Sequence, residues 1–228
     1  MKATNSLKVK SVLAVFLAAA QLVIVSADVL AAPAKDTAKA WPDGIYLSDT
    51  MTQDDAAYLA ASLDYLHTQL PQWWGYVMDA RPFTLSFDPT MAANGRAAIA
   101  SCCDEQGNGR VALGYHPGQL TVAEDPDSET VEARRATFLG TLVHELTHVR
   151  DQREGRHLHK VDRKSCVAAE SSGLTLQLAV KRDLAASLAQ DPAADPAFKT
   201  WLDGQVKIES SDLRSRTTWD LYCGAFES

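Results

Sequence analysis

The chain predicts an α+β fold: a small mixed sheet with an edge strand packed on one long central helix, followed by a helical carboxy-terminal part. Three observations predict it. Short runs alternating apolar and polar residues lie before position 116, the clearest being Phe83, Leu85 and Phe87 with Thr84 and Ser86 between them. Residues 129–149 then run without proline, and Val131, Phe138, Leu142, Leu146 and Val149 recur along them at helical spacing. Beyond them, residues 165–190 read as a second long helix.

Taken in chain order, Lys2, Lys8 and Lys10 precede an apolar run from Val12 to Val25, and small residues follow through Ala34. That is the pattern of a secretory signal over residues 1–32, with cleavage after Ala31 or Ala32. Gln21 and Asp28 interrupt the run too soon for a membrane span, so no stable membrane anchor is expected. The remaining residues 33–228 are long enough for one well-packed domain, exported to the periplasm or secreted. Residues 52–70 read as an amphipathic helix stopped before Pro71, with Trp73 and Trp74 following it as core or wall residues. Residues 83–87 form a strand ending in a turn at Asp88 and Pro89. Residues 97–101 and 110–115 form a hairpin around a polar, glycine-bearing loop. Ser128 is placed to cap the central helix, with Glu129 and Glu132 in its first turn. A turn-rich loop spans residues 191–196, and residues 198–228 hold a short helix and a tail.

The net charge is −7, and losing Lys2, Lys8, Lys10 and Asp28 with the leader makes it two units more negative. Nucleic acid and anionic membrane surfaces are therefore disfavoured as partners. Cys102, Cys103, Cys166 and Cys223 make an even set, as suits disulfides in an oxidising compartment. Adjacent cysteines bond to each other uncommonly, so Cys102 and Cys103 are each expected to pair with Cys166 or Cys223.

The central helix carries His144-Glu145-Leu146-Thr147-His148. At about 100° per residue, four positions pass just beyond one turn, so both imidazoles share a face and can hold one metal ion. Glu145 stands beside the first of them, within reach of a water at that metal. A catalytic zinc site needs a third protein ligand and an open fourth position. Glu170, 22 residues after His148 on the next helix, is the first choice, because a carboxylate leaves the metal a net charge near +1. His157, His159 and, as a thiolate, Cys166 compete for the place. Asp151, on the His148 face, is short enough to be an outer partner rather than a ligand.

His144 through His148 is letter for letter the pentapeptide of thermolysin-like enzymes, and Glu170 resembles the third ligand of the gluzincin group. The resemblance covers roughly a quarter of the chain. It implies a zincin-like fold, Zn2+ as cofactor, His144, His148 and Glu170 as its ligands, and Glu145 as the catalytic base. In the thermolysin-like pattern an Asp four residues after the ligand Glu supports the first His; here that position is Leu174, so support must come from elsewhere. In zincins an edge strand before the metal helix pairs with an extended substrate, and residues 111–115 occupy that place.

The expected activity is hydrolysis of peptide bonds in a peptide or protein substrate, with a second electrophile drawn from Tyr222, His157, His159 and Tyr115. Two other readings stay open: a non-catalytic, zinc-stabilised exported binding protein, and an amidase acting on a cell-wall amide. Oligomeric state is not legible in the sequence.

Overall fold

In a computed structural model describing residues 42–93, 97–118, 131–156 and 162–224, the alternating runs join in one sheet. Its strands are β1 (Ile45–Leu47), β2 (Phe83–Phe87), β3 (Ala98–Ser101) and β4 (Gly109–Leu113), in the spatial order β1-β2-β4-β3. β1, β2 and β4 are parallel, whereas β3 pairs antiparallel with β4, Ile99 opposite Ala112 and Ala100 opposite Val111. The sheet is mixed, as expected, and the hairpin is present. The strand that forms its edge is different. Val111 and Leu113 are fully buried because β4 is flanked by β2 and β3, so the free edge beside the central helix belongs to β3.

Seven helices surround this sheet among the described residues: α1 (Gln53–Gln69), α2 (Pro71–Asp79), α3 (Pro89–Ala93), α4 (Val131–Arg153), α5 (Arg163–Gln190), α6 (Pro196–Asp212) and α7 (Arg216–Cys223). α1 begins where Thr52 and Asp55 exchange hydrogen bonds as a capping box, and it sends Leu59, Leu63 and Leu66 into the core. Pro71 ends it and opens α2 at once, since proline suits the first helical position, where no amide proton is needed. Trp73 of α2 is buried and donates from its indole to Asp183 of α5 at 2.8 Å. α5 runs unbroken for 28 residues from an Asp162 cap, as the sequence pattern predicts. The carboxy-terminal region is more ordered than expected, with α6 spanning 17 residues and burying Phe198 and Leu202. All of these residues fall within one compact unit, Lys39–Ser228. The expected leader at residues 1–32, the expected Ser128 cap and Glu129 lie outside the described residues.

α4 is enclosed through its middle. Residues 142–149 are buried without a break, which explains why the helix carries so little polar surface there. Leu142, Leu146 and Val149 join the apolar core together with Phe138. Arg153, at its carboxy end, donates to the carbonyls of Ala80, Arg81 and Pro82, tying the helix to the start of β2.

The cysteines pair differently from the sequence expectation. Cys166 bonds to Cys223, with their Cα atoms 5.8 Å apart, because α7 returns beside the first turn of α5; Cys102 and Cys103 at the end of β3 bond to each other. With Cys223 drawn to α5, no distant thiol remains for β3. Two disulfides are compatible with an exported protein, and no described helix is long and apolar enough to cross a membrane.

Asp55 also anchors the chain leaving β4. Its fully buried carboxylate accepts from the Thr52 amide at 2.8 Å and the Gly118 amide at 2.9 Å, and meets His116 Nδ1 at 2.7 Å. Burial pushes its pKa up, but these hydrogen bonds together outweigh burial and hold it below the ordinary carboxylate value. A depressed folded pKa contributes stability above the unfolded pKa of about 3.9, lost as pH falls through the lower folded value. Asp55→Asn should cost about 1–3 kcal/mol at neutral pH by leaving buried donors poorly matched. Melting curves should show that deficit shrinking below about pH 4; a deficit constant down to pH 2 would count against the ionised anchor.

Candidate metal centre

α4 and α5 pack along one another, and this brings three of the predicted donors together. His144 Nε2 lies 3.2 Å from Glu170 Oε2, and His148 Nε2 lies 3.7 Å from the same oxygen. The two imidazole rings stand edge to face with centroids 4.9 Å apart. Zinc held tetrahedrally at 2.0–2.1 Å would separate its ligand atoms by about 3.4 Å. One ligand atom from each of the three residues falls within 4.8 Å of the others, so the donors converge at nearly the required spacing. His144, Glu145, His148 and Glu170 are all below a tenth exposed.

The donor chemistry fits a divalent cation of zinc type: two imidazole nitrogens and one carboxylate oxygen, carrying a single negative charge among them. Burial would push the His144 pKa down, but the hydrogen bond to Glu170, the charges of Glu145 and Glu170 and a hydrogen bond with Gln177 hold it above its ordinary value. Surroundings that favour a positive charge on the ring favour a cation beside it for the same reason.

A second feature fits the same group. A Cβ built on Gly173 would stand 2.7 Å from His144 Cδ2 and 2.8 Å from its Nε2, so His144 reaches Glu170 only because residue 173 has no side chain. Sequence reading missed Gly173. The signal was present, since glycine inside a 28-residue helix costs about 1 kcal/mol relative to alanine and marks a close approach. Gly173→Ala is expected to weaken metal binding by this group at least about tenfold, as disturbing a ligand's support does, although helix propensity alone would make the variant more stable. Competition with a chromophoric chelator measures this; wild-type affinity with a raised Tm would show that the ring does not rest on residue 173.

The rest of the pentapeptide is occupied with holding the helix. Leu146 is fully buried, and Thr147 donates to the Val143 carbonyl at 2.7 Å and meets Tyr76 Oη at 2.9 Å. Arg150 lies over the Tyr76 ring at 4.3 Å. Asp151 is not part of the metal group: its carboxylate is paired with Arg156 at 2.9 Å, closing the end of α4. Cys166 is excluded as a thiolate ligand by its bond to Cys223.

That disulfide also locates Tyr222. Its sequence separation of 57 gives it about 4 kcal/mol by loop entropy and holds α7 against the turn of α5 that precedes Glu170. The half-exposed Tyr222 phenol has its pKa raised by partial burial first, then by the negative charges of Glu170, Asp212 and Glu145. Of the four electrophiles named from sequence, Tyr222 has a charge environment that includes Glu170 and Glu145. Tyr115 lies just past β4, and His157 and His159 lie outside the described residues. Comparison of the chain with protein-family models, with curated proteins and with solved structures finds no match in any of the three.

Proposed function

We propose that this chain is an exported zinc-dependent peptidase of the gluzincin type, with His144, His148 and Glu170 as ligands and Glu145 as general base. The observation that carries the reading is the convergence of His144 Nε2, His148 Nε2 and Glu170 Oε2 beside a buried Glu145. A zinc ion in that position would lower the pKa of a water towards about 7 and polarise a scissile carbonyl. Glu145 adjoins the first ligand without being one of the three donors, so its carboxylate would take the proton from the attacking water and pass it to the leaving amine. Tyr222 would stabilise developing negative charge on the substrate oxygen through its phenolic proton, which its raised pKa keeps in place at neutral pH. The outer edge of β3, with Ile99 two-fifths exposed, has no further strand beside it among the described residues and offers its backbone to an extended peptide in place of the inner strand β4.

Incubation of the purified protein with a mixed set of denatured proteins tests the reading, new amino termini being counted by mass spectrometry. Cleavage that disappears with a chelator and returns with zinc is expected. Zinc bound stoichiometrically without cleavage would favour a zinc-stabilised binding protein instead.

A further inference from the structure

Leu174 cannot accept a hydrogen bond, so an outer partner for His144 has to come from another turn. α4 and α5 run antiparallel at this contact: Gly173 packs on His144, and one turn along each helix Gln177 packs on Gly140. A Cβ on Gly140 would stand 3.2 Å from Gln177 Cγ and 3.1 Å from Lys181 Cε. Side chains lean toward the amino end of their helix, so the His144 ring leans toward Gly140 and toward the Gln177 side chain that packs on it.

Gln177 is itself held from behind. Its Nε2 donates to Glu209 Oε1 of α6 at 3.0 Å, and Lys181, only 3% exposed, forms an ion pair with the same oxygen. An ionised carboxylate only accepts, so the amide turns its nitrogen to Glu209 and is left with its oxygen for the imidazole. Glu209 Oε2 is buried with no hydrogen-bond partner among the described residues, so the Glu209 charge is met through Oε1 alone. A histidine that ligates through Nε2 must carry its proton on Nδ1, and an acceptor there selects that tautomer and fixes the ring.

We propose that Gln177, oriented by Glu209 and its partner, the buried Lys181, is the positioning residue that holds His144 in its metal-binding tautomer, an amide doing what a carboxylate at position 174 would otherwise do. This rests on the metal reading above. The arrangement reaches from α4 through α5 to α6, with the negative charge of Glu209 neutralised by Lys181 before it reaches the site.

Zinc dissociation constants from chelator competition, the visible spectrum of the Co2+ form and the Tm of the metal-free protein test it. Gln177→Leu should weaken zinc binding about 10- to 100-fold and alter the Co2+ spectrum. The exchange variant Gln177→Glu/Glu209→Gln, which keeps the charge count and the acceptor, should return affinity to within about threefold of wild type. Unchanged affinity and spectrum in Gln177→Leu with a lowered metal-free Tm would overturn the proposal and leave the trio as a brace between α5 and α6. If Gln177→Leu fails to fold, the exchange variant decides: affinity that stays near wild type supports the relay, and affinity lost in a folded protein overturns it. A wild type that binds zinc in a Glu170-dependent way while Gln177→Leu matches it would sink this inference alone. A wild type that binds no zinc would sink the metal reading and this with it.

Discussion

Glu145→Gln is expected to cut kcat/KM on the order of 10²–10⁴-fold while leaving one zinc per chain, the range seen when a positioned proton-transfer group is removed. The reasoning is geometric. Glu145 stands beside His144 but is not one of the three converging donors, so neutralising it should leave the ligand set intact. Glutamine matches its volume, and at 7% exposure the site has little freedom to rearrange around a substitute. The amide cannot take a proton from water, so turnover fails while binding survives. Parallel measurement of bound zinc and of cleavage makes the two separable; cleavage near the wild-type rate would remove Glu145 from the chemistry.

If zinc is the metal, as proposed, Glu170→Ala should abolish the thermal stabilisation expected from it. Zinc at a hundred times its dissociation constant would stabilise the wild type by about 2.7 kcal/mol, a Tm rise of roughly 5–10 °C for a domain of this size. In the variant two imidazoles remain, without the carboxylate oxygen that lies 3.2 Å and 3.7 Å from them. The metal-free protein loses a buried acceptor for His144, at about 1–3 kcal/mol, and keeps its fold. Calorimetry with and without zinc reads both effects. An undiminished zinc-dependent rise would place the third ligand elsewhere in the chain.

Features set by local spacing are legible in the order of residues alone. Thr52 and Asp55 announce α1, Pro71 divides it from α2, and the unbroken helical pattern of residues 165–190 lies within α5. The pairing of Ala98–Ser101 with Gly109–Leu113 follows from two short runs and a polar loop. What fails depends on distant segments. β4 is expected at the sheet edge because its parallel pairing with β2 has no sequence signature. The cysteine connectivity is misjudged because the return of α7 to the start of α5 rests on helices α6 and α7, which read as a short helix and a tail.

By itself the sequence determined that His144 and His148 share one face of a helix with Glu145 beside them, because helical pitch converts spacing into direction. It also indicated Glu170 as a donor on the following helix. Only the tertiary structure decided that this carboxylate meets both imidazoles, that Gly173 clears the path for His144, and that Gln177, Glu209 and Lys181 stand behind it. The physical reason is that convergence of side chains from different helices depends on how closely and in which direction the helices pack. That is set by the whole buried core, and no local run of residues encodes it.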